Sequence, residues 1–312
     1  MLCGPVDASE ESCPFSTGSD FHKGPLPSEY SGGLKEFSVV YTDRALNHMS
    51  APFQKIMIDL HDILTEAYQA HKAVIIPGSG TYAMEAIARQ LDTGNSLVIR
   101  NGYFSYRWSD IFEQSEMTPP VVEKASPVSA DDQPHFAPPA IEVVLAKIEE
   151  LKPTVVFAPH VETSTGIILP DEYIEAVAAA VHRVGGLFVL DCVASGTVWV
   201  DMRSSGVDVI VSAPQKGWSG PACAGLLMLS ERATEAVLST TSSSMALNVQ
   251  KWYNVMKSYL DGGFMYYTTM PTDGLALFRD VAQQTKALPQ PGVPPTFSRC
   301  RLNWSPPGTH RR

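Results

Sequence analysis

LFVLDCVASGTVWVDMRSSGVDVIVSAPQK, residues 187–216, decides the fold. An apolar run, Leu187–Leu190, ends in Asp191. A second, starting at Val207, runs out into Ala213-Pro214-Gln215 and ends in Lys216. Short continuous apolar runs of this kind read as strands buried on both faces. In an open α/β sheet, ligands bind beyond the carboxyl ends of such strands. The two runs therefore bring a carboxylate and an amine, 25 positions apart, to one edge of a sheet.

Working outward, the same kind of run recurs at 73–77 (AVIIP), 96–101 (SLVIRN), 154–160 (TVVFAPH) and 224–230 (AGLLMLS). Between these runs the period changes to that of helices. SAPFQKIMIDLHDILTEAYQA (50–70) places Ile56, Leu60, Ile63, Leu64 and Ala67 on one face, with Ser50 as N-cap. GSGTYAMEAIARQL opens a helix directly after the first strand, IEVVLAKIEEL forms another, and DEYIEAVAAAVHRVG is stopped by Gly185 and Gly186. Alternating strands and helices predict an α/β fold, a mostly parallel sheet with helices on both faces.

Composition narrows the function classes. Of 312 residues, 44% are apolar and 18% charged, as in a globular α/β protein with a substantial core. A net charge of −10 argues against nucleic acid as a partner. No apolar run is long enough to span a membrane. The N-terminal MLCGPVDASEESCPFSTGSD has acids where a secretory leader has bases and an apolar core, and the five cysteines (3, 13, 192, 223, 300) are irregularly spaced. These features predict a cytoplasmic protein with reduced thiols. The histidines show no metal-ligand spacing with cysteines or carboxylates.

The chemistry rests on four pieces in chain order. Pro77-Gly78-Ser79-Gly80-Thr81 lies between a strand and a helix, where small residues and free N–H groups suit a phosphate. Phe104, in NGYFSYRW, can stack on a planar ring. Asp191 and Lys216 stand at strand ends. Each piece has an ordinary alternative: a bare glycine turn, a core aromatic, a capping aspartate, a snorkelling surface lysine. Burial near the strand end would favour the neutral amine of Lys216. Together the four pieces match pyridoxal phosphate, whose aldehyde needs a lysine and whose pyridine nitrogen needs a carboxylate. Cys192, beside Asp191, reads as a small buried hydrophobe.

These segments resemble the class V aminotransferases of pyridoxal-phosphate fold type I, closest to the alanine–glyoxylate and serine–pyruvate aminotransferases. The resemblance is carried by NHMS (47–50), GSGTYAMEA (78–86), HVETSTGI (160–167), LDCVASG (190–196), SAPQKGW (212–218) and MYYTTMP (265–271). It implies that Ser79, Gly80, Thr81 and Gln215 hold the phosphate. It implies that Phe104 and Val193 cover the two ring faces, that Thr163 meets the ring region, and that Asp191 pairs with the ring nitrogen. Lys216 becomes the Schiff-base lysine. Tyr266 and Thr269 match residues that reach a neighbouring subunit's phosphate, so a homodimer with composite sites is implied. The implied reaction moves an amino group between alanine or serine and a small 2-oxo acid such as glyoxylate or pyruvate.

The pattern departs from the family in two places. After Lys216 the family often has a Pro-Pro-Gly turn, whereas this chain has GWSGPACAG. The match also stops near Thr285, ahead of the small domain that carries the family's substrate-carboxylate arginine. The predicted organisation is an N-terminal arm (1–35), a cofactor-binding large domain (36–286) and a Pro/Arg-rich tail (287–312). The tail holds six prolines, four arginines and no acid; Arg299 and Arg301 receive no role. Two alternatives follow. One is a truncated, dimer-forming chain that binds the cofactor without turning over. The other is a cysteine desulfurase, which needs a nucleophilic cysteine well downstream of the lysine, where only Cys300 qualifies.

Overall fold

The computed structural model describes residues 46–287 apart from Asp131 and Gln133. The predicted arm, all but the first residue of the tail, and Cys3, Cys13 and Cys300 lie outside the described residues.

In chain order the elements are α1 (Ala51–Tyr68), β1 (Lys72–Pro77), α2 (Gly80–Leu91), β2 (Ser96–Arg100), α3 (Tyr103–Gln114) and β3 (Val121–Lys124). The short β4 (Ser126–Pro127) and β5 (Phe136–Ala137) pair with each other and precede α4 (Ile141–Leu151). Then come β6 (Val155–Pro159), the small hairpin β7 (Val161–Glu162) and β8 (Ile167–Ile168), α5 (Asp171–Arg183) and β9 (Leu187–Asp191). The chain continues through α6 (Met202–Ser205), β10 (Val209–Ser212), β11 (Ala224–Leu229), α7 (Glu231–Ser239), α8 (Val249–Leu260) and α9 (Thr272–Ala287).

Seven strands form one sheet in the order β1-β11-β10-β9-β6-β2-β3. Only β11 runs against its neighbours; β10, β9, β6, β2 and β3 pair in parallel. Every residue of β10, β11 and β6 is buried. Successive side chains point to opposite faces, so both faces are covered, as the unbroken apolar runs predict. Helix α2 packs on β10, β11 and β1, α5 on β9, and α1 and α8 on β1. Ser50 caps α1 by accepting from Phe53 N–H at 3.2 Å, and Ile56, Leu60, Ile63 and Leu64 are buried beneath it.

This topology fixes where function can reside. Strand β1 is antiparallel to β11, and β11 to β10, so β1 runs the same way as the parallel set. The carboxyl ends of β1, β2, β6, β9 and β10 therefore lie along one edge. From that edge emerge the turns holding Ser79, Gly102, His160, Asp191 and Lys216. No helix among the described residues is long and apolar enough to cross a membrane.

Candidate active site

Asp191 is the last residue of β9 and is buried. Its Oδ1 accepts Val193 N–H at 2.9 Å, and its carbonyl accepts His160 N–H at 2.8 Å. Burial raises its carboxyl well above the usual range, to about 6; the Val193 N–H opposes the rise, the Glu162 charge adds to it and the Arg107 charge opposes it. Asp191 forms no ion pair among the described residues. A buried carboxylate without a cation is costly, and its presence at a strand end marks a place prepared for one. His160 is also buried. Its Nδ1 lies 2.7 Å from Ser195 Oγ, and burial depresses it to about 4, so the ring is neutral at physiological pH.

The glycine turn meets this strand end directly. A Cβ on Gly80 would stand 2.9 Å from Val193 Cγ2, so the small residue lets the start of α2 approach the residue two positions beyond Asp191. Ser79 is the N-cap of α2, yet its hydroxyl makes no capping bond. It remains free for a ligand at the helix N-terminus, where unpaired N–H groups gather. Thr81 Oγ1 accepts from Arg107 Nη1 at 3.0 Å.

Helix α3 delivers Phe104, whose ring is partly exposed. Its N-terminus is held by Glu162, a fully buried carboxylate that sequence reasoning passed over. Glu162 Oε1 accepts from Phe104 N–H (3.1 Å) and Ser164 Oγ–H (2.7 Å). Its Oε2 accepts from Ser105 N–H (2.8 Å) and Ser105 Oγ–H (2.7 Å). Burial alone would raise its carboxyl, but the Ser164 and Ser105 hydroxyls and the two amides hold it below the ordinary value. One carboxylate thus anchors both the helix that carries Phe104 and the turn that carries Thr163. The signal was present in HVETSTGI, but spacing alone does not say that its acid faces inward. Glu162→Ala is expected to cost about 3 kcal/mol or more, because two N–H donors lose their partner in the interior. Urea unfolding checks this, and a loss under about 1 kcal/mol would remove Glu162 from this role.

Lys216 lies in the turn after β10. Residues Val211 and Asp191 are register partners on neighbouring parallel strands, so the lysine turn adjoins the aspartate turn. A Cβ on Gly217 would fall 1.8 Å from Gly196 O, which confirms how closely the two turns are stacked. Of the two readings of Lys216, buried at the strand end or reaching out to the surface, the structure shows the second: the side chain is exposed. The strand ends at Ser212, and Ala213, Pro214 and Gln215 carry the lysine past the apolar layer. Lys216 forms no ion pair among the described residues. Gln215 Oε1 is buried without a partner among the described residues. The GWSG departure has a structural content of its own. Trp218 is buried against Trp199 (4.4 Å between ring centroids), Tyr68 and Phe278, and Tyr68 Oη donates to Ser212 Oγ at 3.2 Å. Trp218, two residues after Lys216, thus ties the lysine turn to this aromatic cluster.

Thr163 is exposed beside Glu162. Tyr266 and Thr269 are exposed as well and make no bond to the Ser79–Thr81 turn of their own chain. Tyr266 instead lies against His48, 5.4 Å between ring centroids, which joins the NHMS and MYYTTMP segments. Cys192 is 3% exposed, and burial raises its thiol far above the ordinary value, in keeping with a packing role. No group of three or more metal-ligating side chains occurs among the described residues.

A strand-end carboxylate, a lysine in the adjacent turn and a helix N-terminus at a glycine turn thus meet at one edge of a fold type I sheet. The chain belongs to the class-V aminotransferase family, whose profile matches residues 34–260. It is 26% identical over 294 residues to the alanine–glyoxylate aminotransferase of Oryctolagus cuniculus, covering 90% of this chain and 69% of that protein. It is 29% identical to the 2-aminoethylphosphonate–pyruvate transaminase of Paraburkholderia phymatum, covering 78% of this chain and 61% of the relative. The solved alanine–glyoxylate aminotransferase of a Nostoc species superposes with a TM-score of 0.65 at 24% identity, over 77% of this chain and 61% of that one. The match thus covers between 61% and 69% of the length of each of these three proteins.

Proposed function

We propose that this chain is a pyridoxal-phosphate-dependent aminotransferase. It would move an amino group between a small amino acid, alanine or serine, and a small 2-oxo acid, glyoxylate or pyruvate. The observation that carries the reading is the juxtaposition, on adjacent strand-end turns, of a buried Asp191 and of Lys216, neither with an ion-pair partner among the described residues. The free Ser79 hydroxyl fits the same group.

When bound, the cofactor supplies an aldehyde that captures amines and a ring that accepts electrons released at the substrate α-carbon. The Ser79 and Thr81 hydroxyls and the first N–H groups of α2 would hold the phosphate, with Gln215 beside them. Phe104 and Val193 would enclose the ring faces, and Thr163 would meet the ring edge. Asp191 would keep the ring nitrogen protonated, where burial makes its charge most effective. Lys216 Nζ, once released by the incoming amine, would take the α-proton and return it, acting as base and then acid. Reduction of the loaded protein with borohydride, followed by peptide mapping, should place a phosphopyridoxyl group on Lys216. A label on another lysine, or none, would sink the assignment. Alanine added to the loaded protein should release one pyruvate per site. Labelling without pyruvate release would mean that the chain binds the cofactor and goes no further.

The reading includes a homodimer. Met49, Phe264, Met265 and Tyr266 are 49%, 51%, 41% and 63% exposed, and His48 joins the two segments by contacts to Phe264 and Tyr266. An exposed apolar cluster of this kind suits a subunit contact, and it would let Tyr266 and Thr269 complete the partner's phosphate site. Sedimentation of the loaded protein should give a dimer, and Tyr266→Ala should weaken cofactor binding about tenfold, the loss of one hydrogen bond to a charged group. A monomer with undiminished affinity would contradict this arrangement.

A further inference from the structure

Arg107 falls in none of the roles above. It lies on α3, three residues after Phe104, and is half-buried. Its Nη1 donates to Thr81 Oγ1 at 3.0 Å, and its Cζ stands 5.3 Å from the centroid of the Phe104 ring. A guanidinium removed from water is usually met by a carboxylate. This one forms no ion pair among the described residues. Its neighbours are a hydroxyl and an aromatic face, and its charge extends to Asp191.

The direction of the Thr81 bond carries a consequence. A guanidinium has five N–H donors and no acceptor, so the hydroxyl must accept. A free threonine hydroxyl can turn its single proton in several directions. With one lone pair committed to Arg107, the proton is directed away from the guanidinium toward any other acceptor. A phosphate offers acceptors and, as a dianion, no donor. Accepting from a cation also makes the hydroxyl a better donor, since hydrogen bonds in a chain polarise one another.

We propose that Arg107 is a positioning residue for the phosphate. It acts through Thr81, fixing that hydroxyl as a donor, and does not itself touch the phosphate. This rests on the reading of the 78–81 turn as the phosphate site.

The test compares binding of pyridoxal phosphate with binding of pyridoxal, which keeps the aldehyde and ring but lacks the phosphate, by equilibrium dialysis. Thr81→Val, isosteric and without the hydroxyl, is expected to weaken pyridoxal phosphate about tenfold and pyridoxal less than twofold, as for one hydrogen bond to a charged group. Arg107→Met is expected to do the same, while Arg107→Lys, which keeps a cationic donor, restores most of the preference for the phosphate. In the double variant the two losses should not add, because the arginine acts through the hydroxyl. A merely structural role would weaken both ligands equally. Equal weakening, or additive losses in the double variant, would overturn the proposal. So would a Thr81→Val chain that keeps the full preference, a result independent of how well Arg107→Met folds. A parent chain with no preference for pyridoxal phosphate over pyridoxal would overturn the reading of the turn itself. A preference that Arg107→Met leaves intact would overturn only the role of Arg107.

Discussion

Asp191→Asn is expected to make the cofactor-free protein more stable and the loaded protein nearly inactive. The first half follows from burial. The carboxyl is raised from an ordinary 3.8 to about 6, so its ionised form is penalised in the fold relative to the unfolded chain. That rise corresponds to about 3 kcal/mol. A raised carboxyl favours folding most below its unfolded value, and the contribution is lost as pH climbs through the folded one. The wild-type chain should therefore lose stability between about pH 4 and pH 6. The asparagine chain has no such titration and keeps an oxygen to accept the Val193 N–H. It should be more stable by up to about 3 kcal/mol at pH 7.5 and should lose that advantage toward pH 4. Urea unfolding at several pH values measures the difference directly.

The second half follows from the same charge. A neutral amide cannot hold a ring nitrogen protonated, so the electron demand at the substrate α-carbon falls. Losses of preorganised charge at a reacting centre commonly reduce turnover by roughly 10²–10³-fold. Equal stability of the two chains across pH would show that Asp191 is not held at a cost. Unchanged release of pyruvate from alanine would show that it does not serve the ring. The two results together separate a carboxylate retained for function from one retained for packing.

The strands around the site were legible because they are buried on both faces and so read as unbroken apolar runs. Residues 73–77, 96–101, 154–160 and 224–230 all appear as strands, within a residue or two at their ends. Asp191 and the glycine turn were legible for the same reason, since a run that stops at a polar or small residue marks a strand end. Helix α3 gave no such signal. YFSYRWSDIFEQ alternates aromatic and polar residues without a clear face, and its start is set by Glu162, 58 positions from Phe104 in the chain. A cap supplied from that distance leaves no local pattern. Arg107 was missed because its partner Thr81 sits on another helix. Whether Lys216 is buried or exposed is not legible in the sequence, because the apolar run continues through Ala213 and Pro214, where the backbone has already left the sheet. Trp218 read as a family departure, and only its packing on Trp199 and Tyr68 shows what it does.

Lys216→Ala is expected to leave folding unchanged and to remove both covalent capture of the cofactor and turnover. The side chain is exposed and has no ion pair among the described residues, so its loss should move the unfolding free energy by less than about 0.5 kcal/mol, as for an ordinary surface substitution. Its two chemical tasks have no substitute among the described residues nearby. His160 is neutral but bound to Ser195 and buried, and Glu162 is fully occupied by donors. Loss of a positioned base alone costs 10²–10⁴-fold, and loss of the covalent tether adds to it, so turnover should fall by at least about 10³-fold. Lys216→Arg should not rescue it, because a guanidinium stays protonated and can neither attack an aldehyde nor accept a proton. A small amine in solution can do the second task. Added methylamine should therefore restore part of the activity of Lys216→Ala and none of the activity of Lys216→Arg, whose side chain still fills the space. Turnover of Lys216→Ala within tenfold of the parent would place the reacting amine on another residue. Failure of added amine to raise it, with the cofactor still bound, would leave Lys216 as an attachment point and assign the proton transfer elsewhere.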